Sequence, residues 1–232
     1  MIQIKKHIPN TITCINLFCG CVAIPFALEK NWELVLILVF VALIADFLDG
    51  FFARILKVNS EIGAQLDSLA DMVTFGLLPG IVMYRILYDI CALNELPNWV
   101  SYFSFIIPIF SAIRLAKFNV DLTQNYYFKG LPTPANAVFI LSLPLFLLLC
   151  PLDIYQVLCI CITFSLLLVS NLPLIALKFK NYTIKDNLEK AIILLLSIPL
   201  IIFFKFTAFL FIIPMYILIS LFYFNFFYKK GV

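Results

Sequence analysis

Long apolar segments separated by short polar ones make up almost the whole chain, and this pattern limits what it can fold into. A transmembrane helix needs about 17 to 25 mainly apolar residues. Windows of that kind occur at residues 11–28, 32–54, 64–88, 98–117, 134–150, 154–177, 188–204 and 206–227. The pattern therefore predicts an all-α polytopic membrane protein with about eight transmembrane helices.

The composition supports the same fold class. Charged residues make up 12% of the 232 residues and hydrophobic residues 64%, whereas a soluble domain has about 25% charged residues. A water-soluble globule and a disordered chain are both excluded, because neither accommodates so much apolar surface. The net charge of +3 is too small to indicate a nucleic-acid partner. Since the loops are short and no repeat or Gly/Ser linker is evident, residues 1–232 are predicted to form one membrane domain.

The division of the last apolar segment is the least certain. Residues 188–228 are compatible with a hairpin of two helices, or with one tilted helix followed by an interfacial helix. The length of the segment favours two spans.

The positions of the basic residues predict the orientation, because Lys and Arg collect in cytoplasmic loops. With the N-terminus inside, 13 of the 16 basic residues fall on the cytoplasmic side, and Lys30, Arg85 and Lys205 fall on the other. The 13 are Lys5, Lys6, Arg54, Lys57, Arg114, Lys117, Lys129, Lys178, Lys180, Lys185, Lys190, Lys229 and Lys230. We therefore expect an integral protein of the cell membrane with both termini, and the longest polar connections 118–133 and 178–187, facing the cytoplasm.

Four aspartates lie at the ends of two consecutive predicted spans. Asp46 and Asp49 belong to the second span, and Asp67 and Asp71 to the third. At about 100° per residue, each pair falls on one face of its helix. A short connection makes the two helices antiparallel, so the acidic faces can oppose each other. A charge at the centre of a membrane helix costs about 2.5 to 3.5 kcal/mol, and such residues mark functional sites.

Carboxylates that converge in a partly dry site cannot all be ionised without a counter-charge. Divalent cations supply that charge, and hard oxygen ligands suit Mg²⁺ or Mn²⁺. Two such ions can stabilise the attacking and leaving oxygens of a phosphoryl transfer. Gly50, Ala53 and Gly63 leave room for a ligand beside the helix backbones, and Arg54 and Lys57 offer positive donors to a phosphate.

Two other interpretations of the four aspartates stay open at this point. The carboxylates are either structural groups neutralised by salt bridges, or the binding site of a divalent-cation transporter. A transport pathway would distribute acids through the depth of the membrane, whereas these acids cluster near one face with glycines between them.

The acidic motif resembles the signature of a known enzyme family. Eight positions over 26 residues match it: Asp46, Asp49, Gly50, Ala53, Arg54, Gly63, Asp67 and Asp71. On these residues the chain is identified as similar to the CDP-alcohol phosphatidyltransferase family. The resemblance implies a six-helix core at about residues 8–178 with two additional spans at about 188–228. It also implies an integral membrane enzyme, commonly a homodimer, that displaces CMP from a CDP-linked lipid with an alcohol.

The resemblance also implies roles for individual residues. Asp46, Asp49, Asp67 and Asp71 would bind two divalent metal ions, and Asp71 would also be the general base for the incoming hydroxyl. The CDP group would be bordered by Asn10, Thr13, Gly50, Ala53, Arg54, Ser60 and Gly63. Asn10 and Thr13 belong to a shorter motif at the start of the first helix.

Two further segments resemble the branch of this family that uses L-serine as the acceptor and CDP-diacylglycerol as the donor. One contains Arg114, Lys117 and Asn119, and the other contains Lys129 and the Gly-Leu-Pro-Thr-Pro run that follows it. These residues are candidates for binding the acceptor or a phosphate. Relatives that use glycerol phosphate or inositol phosphate share the acidic signature and remain the alternative within the family, although their acceptors would call for a denser basic cluster.

Overall fold

The chain folds almost entirely into helices. The computed structural model describes residues 2–58, 61–121, 127–176 and 187–226, and these ranges contain nine α-helices and two short strands. The helices are α1 (Ile2–Leu28), α2 (Trp32–Ile55), α3 (Glu61–Asp71), α4 (Leu78–Leu93), α5 (Ile106–Val120), α6 (Thr133–Leu147), α7 (Ile154–Val169), α8 (Leu188–Phe204) and α9 (Phe209–Phe226). The strands are β1 (Tyr127–Lys129) and β2 (Pro173–Ile175).

Several of these helices are suited to cross a bilayer. In the described ranges, five helical segments are long and apolar enough to do so: His7–Leu28, Trp32–Ile55, Glu61–Leu93, Asn98–Val120 and Leu188–Phe226. Two shorter helices, Thr133–Leu147 and Ile154–Val169, are apolar as well. The predicted all-α polytopic membrane fold is therefore confirmed. Five lysines that count toward the predicted orientation, Lys178, Lys180, Lys185, Lys229 and Lys230, lie outside the described residues.

The segment 188–226 forms two helices that contact each other. Helices α8 and α9 pack together, and a short 3-10 turn, Lys205–Ala208, separates them. Lys205 has a φ of 49°, which an α-helix cannot contain, so α8 ends there. Phe204 and Phe211 then lie on opposite sides of the turn with ring centroids 5.2 Å apart. The described part of this segment therefore consists of two helices, and its division into two membrane spans stays a prediction.

The predicted span 154–177 is too long. Helix α7 ends at Val169, and residues 173–175 form strand β2, which pairs antiparallel with β1. A short apolar run has the same composition in a buried strand as in a helix, so hydropathy did not separate the two. Pro173 begins the strand, in agreement with the preference of proline for a strand's first residue.

The third span is irregular directly after its aspartates. Residues Met72–Leu77 form a π-helical segment between α3 and α4. Helix α1 contacts this segment closely, since a Cβ added at Gly20 would overlap the Thr74 hydroxyl and lie 3.0 Å from the Thr74 Cα. Gly20 is therefore what allows α1 and the π-helical segment to approach each other.

Replacing Gly20 should consequently destabilise the protein. In Gly20→Ala the new methyl group displaces the Thr74 backbone, and overpacking of this kind costs about 1 to 3 kcal/mol. Gly50→Ala is the matched control, because its Cβ would meet no atom within 4 Å and alanine is the better helix former by about 0.5 to 1 kcal/mol. We expect a lower melting temperature of the detergent-solubilised protein for Gly20→Ala only. Equal melting temperatures of the two variants would contradict the close packing at Gly20.

Candidate active site

A cavity of about 540 Å³ opens where α1, α2 and α3 meet. It lies at the C-terminal end of α2 and the N-terminal end of α3, on either side of the short connection between these helices. Its lining consists of Pro9, Asn10, Thr13, Asp49, Gly50, Ala53, Val58, Glu61, Gly63, Ala64 and Asp67. Gly50 contributes no side chain, and a Cβ there would meet nothing within 4 Å, so the wall of the cavity is bare backbone at this position of α2.

Three carboxylates converge beside this cavity. One oxygen each from Asp46, Asp49 and Asp67 lies within 4.8 Å of the others. The spacing of Asp46 and Asp49 puts both on one face of α2, and antiparallel α3 brings Asp67 to meet them. Thr13 on α1 donates a hydrogen bond of 2.6 Å to Asp49 Oδ2 and thereby fixes the orientation of this buried carboxylate.

The chemistry of this cluster fits divalent cations. Oδ1 of Asp67 is buried and has no hydrogen-bond partner. Within the described part of the chain, no lysine or arginine forms a salt bridge with Asp46, Asp49 or Asp67. Like charges this close together need a positive counter-charge, and an all-oxygen donor set is the one that Mg²⁺ and Mn²⁺ prefer. A structural role based on salt bridges is therefore not supported.

Asp71 lies one turn beyond Asp67, next to Asp46. It is not one of the three carboxylates that converge within 4.8 Å. Its Oδ1 accepts a hydrogen bond of 3.2 Å from the Nδ2 of Asn16 on α1. The Asn16 backbone oxygen in turn accepts a hydrogen bond of 3.1 Å from the Thr74 hydroxyl in the π-helical segment.

Sequence reasoning missed Asn16. Its side chain is fully buried, and its Oδ1 has no hydrogen-bond partner. A signal existed, because Asn10, Thr13 and Asn16 recur every three residues and so fall along one side of a mostly apolar helix. That side carries the contacts from α1 to both Asp49 and Asp71.

Most of the residues predicted to border a CDP group lie together. Asn10, Thr13, Gly50, Ala53 and Gly63 all line the cavity of about 540 Å³. Arg54 is exposed and is not part of this lining. Ser60 lies outside the described residues.

Among the acceptor-site candidates, Arg114 is the buried one. It is 8% exposed, and its Nη1 donates a hydrogen bond of 3.0 Å to the Thr133 hydroxyl. The guanidinium also lies over the Phe118 ring, 5.3 Å from its centroid, and it interacts electrostatically with Asp71. A buried positive charge is thus present next to the acidic site.

The other acceptor-site candidates lie nearer the surface. Lys117 and Lys129 line a second cavity of about 550 Å³ together with Arg114. Lys129 forms a salt bridge of 3.0 Å with Asp121. Asn119 donates a hydrogen bond of 2.8 Å to the Ser68 hydroxyl, which joins the end of α5 to the acidic face of α3. Arg114, through Asp71, and Asn119, through Ser68, therefore both lie beside α3, although they come more than 40 residues later in the chain.

Comparison with known proteins identifies the family. The family model described as CDP-alcohol phosphatidyltransferase matches residues 6–169. A CDP-diacylglycerol–serine O-phosphatidyltransferase of Mycobacterium leprae (strain TN) is 38% identical over 144 residues, which cover 59% of this chain and 46% of that protein. The Bacillus subtilis (strain 168) protein of the same name is 36% identical over 129 residues, covering 56% of this chain and 70% of that protein.

A third protein of that name, from Methanocaldococcus jannaschii, is 31% identical over 144 residues, covering 61% of this chain and 63% of that protein. The chain spans about half the length of the mycobacterial relatives that it matches. The matched residues include all four aspartates and the cavity beside them. This chain is therefore a member of the CDP-alcohol phosphatidyltransferase family.

Proposed function

We propose that the protein is a CDP-diacylglycerol–serine O-phosphatidyltransferase, which forms phosphatidylserine and CMP. The observation that carries this proposal is the convergence of Asp46, Asp49 and Asp67 beside a cavity, with a buried arginine, Arg114, that interacts electrostatically with Asp71. The names of the similar proteins support serine as the acceptor. The donor and acceptor halves of the reaction then correspond to two groups of residues.

The donor half is the cavity between α1, α2 and α3. The bare backbone at Gly50 admits a flat nucleotide close to α2, and Asn10 and Thr13 offer polar groups to it. The acyl chains of the donor would stay in the bilayer beside the helices. Arg54 and Ser60 remain predicted contacts of the CDP group at the edge of this cavity.

The acidic residues have two proposed tasks. Asp46, Asp49 and Asp67, with Asp71 beside them, would hold two divalent cations, Mg²⁺ or Mn²⁺. When bound, these ions would neutralise the diphosphate and the charge that develops on the leaving oxygen of CMP. Asp71 would accept the proton of the serine hydroxyl, and the hydrogen bond from Asn16 aims its carboxylate.

The reaction transfers a phosphatidyl group. The serine oxygen forms a bond to the lipid-side phosphorus, the bond from this phosphorus to the oxygen of CMP breaks, and the hydroxyl proton passes to Asp71. Arg114 is the best placed group for the serine carboxylate, because it is buried and interacts with Asp71. Lys117, Asn119 and Lys129 are proposed to border the same acceptor side.

The cytoplasmic orientation and the homodimer are part of the proposal. The excess of basic residues near the aspartates supports a cytoplasmic site. Two of the three basic residues predicted on the other side, Lys30 and Arg85, both pair with Asp89, at 2.7 and 3.1 Å. A homodimer rests on the family resemblance alone.

A panel of alcohols tests the activity. Purified protein with CDP-diacylglycerol and Mg²⁺ or Mn²⁺ should release CMP with L-serine, and a chelator should stop the release because the aspartates then lack their counter-charge. Release with glycerol 3-phosphate but not with serine would show that the acceptor is wrong. Metal flux into proteoliposomes without CMP release would favour the transporter interpretation.

Asp71→Asn tests the general base. The amide keeps the size of the side chain but cannot accept the hydroxyl proton, so kcat should fall by about 100-fold or more. Binding of CDP-diacylglycerol should persist, because Asp46, Asp49 and Asp67 are unchanged. Glu33→Gln, which removes an exposed charge at the other end of α2, is the control and should keep normal turnover. Near-normal turnover of Asp71→Asn would show that another group is the base.

Asn16→Leu tests whether α1 orients Asp71. Loss of a hydrogen bond to a charged group should lower kcat by about ten-fold or more, with little change of KM for CDP-diacylglycerol. Asn94→Leu is the control, because the Asn94 amide is exposed and donates its hydrogen bond to the Ile90 oxygen in the last turn of α4. If both variants turned over at the same rate, Asn16 would have no role in orienting the base.

A further inference from the structure

The loop that leads into α6 is held by backbone contacts to the last turn of α7 and to the segment after it. Gly130 N donates to Leu172 O and Leu131 N to Leu167 O, both at 2.9 Å. Gly130 has a φ of 78°, and a Cβ there would lie 2.7 Å from the Leu168 oxygen. Only glycine permits this approach, so the loop position is set by residues 167–172 and by the pairing of β1 with β2.

Strand β2 is held in turn by α9. The Ile175 C=O accepts a hydrogen bond of 2.8 Å from the Tyr216 hydroxyl, and the Ile175 N–H donates one of 3.3 Å to the Ser220 hydroxyl. The N–H and C=O of one strand residue point to the same side. Tyr216 and Ser220, one helical turn apart, therefore occupy the edge of β2 that β1 leaves open.

The loop ends at Thr133, which contacts the buried Arg114 of the proposed acceptor side. Thr133, the first residue of α6, is fully buried and accepts the 3.0 Å hydrogen bond from Arg114. Arg114 also interacts electrostatically with Tyr216 itself. The guanidinium that faces Asp71 is thus fixed by a loop whose position depends on β2 and α9.

These contacts lie largely outside the region that defines the family. The family match ends at residue 169, whereas β2 begins at Pro173 and α9 at Phe209. The matched region therefore supplies Arg114 and Thr133, and the residues after it supply β2 and α9, which are part of what holds them.

We propose that Tyr216 and Ser220 are positioning residues for the acceptor half of the active site. Through Ile175 and the β1–β2 pair they fix Thr133, and through Thr133 the orientation of Arg114 toward the serine carboxylate. This inference rests on the proposed function, and it makes the last helix part of the machinery that binds the acceptor.

Steady-state kinetics with both substrates test the proposal. Tyr216→Phe and Ser220→Ala each remove one hydrogen bond to Ile175, and each should raise KM for serine by about three- to ten-fold. KM for CDP-diacylglycerol and kcat should stay within about two-fold of wild type, because the donor half is untouched. Ser220→Thr keeps the hydroxyl and should restore the wild-type KM for serine. Tyr155→Phe, the same change at a tyrosine that is 80% exposed, is the matched control.

Three outcomes would overturn the proposal: an unchanged KM for serine in both variants, an equal rise of KM for both substrates, or a failure of Ser220→Thr to restore serine binding. Ser220→Ala and Ser220→Thr decide the matter alone if Tyr216→Phe does not fold. A wild-type protein that releases CMP with another alcohol but not with serine would refute the proposed acceptor only, and the same comparison is then made with that alcohol. Absence of CMP release with every alcohol would refute both.

Discussion

Three carboxylates held within 4.8 Å of one another in a largely apolar chain are the constraint on which the rest of the site depends. An ionised carboxylate loses much of its hydration here, and its neighbours repel it. Asp49 is compensated by hydrogen bonds from the Thr13 hydroxyl and the Gly50 backbone, whereas one buried oxygen of Asp67 has no hydrogen-bond partner. The arrangement is therefore unfavourable by itself and is suited to bind positive charge.

This constraint explains why α1 packs so closely against the third span. The aspartates of α3 must be held against those of α2 despite their repulsion, and α1 contacts both helices. Gly20 lets α1 approach Thr74, and Thr74 bonds the backbone of Asn16, which in turn holds Asp71. The π-helical turn directly after Asp71 belongs to the same arrangement, since such turns are frequent where a helix carries functional side chains.

The proposed donor side of the site was predictable from the sequence because its geometry depends on local spacing. Helical periodicity puts Asp46 with Asp49 and Asp67 with Asp71, and a short connection brings the two pairs together. The acceptor side was less predictable because its contacts join distant residues. Arg114 reaches Thr133 across 19 positions, and Ile175 reaches Tyr216 across 41. Neither contact produces a periodic pattern in the sequence, and the apolar composition of β2 did not distinguish this strand from the end of a helix.

The two sides therefore differ in how they tolerate change. On the proposed function, the donor side is built from helices α1 to α3, in which α1 packs against both α2 and α3, so a change there disturbs the aspartates directly. The proposed acceptor side is joined to α9 through a short strand pair and a loop, and on the proposal above single hydrogen bonds there set the position of the Arg114 guanidinium. On the proposed function, a fold of this kind can keep its binding site for the activated lipid while the acceptor pocket varies. The contacts around Arg114 can change without moving the helices that hold the aspartates. On the proposed function, the choice of alcohol is then decided mainly by the contacts around Arg114 rather than by the aspartates.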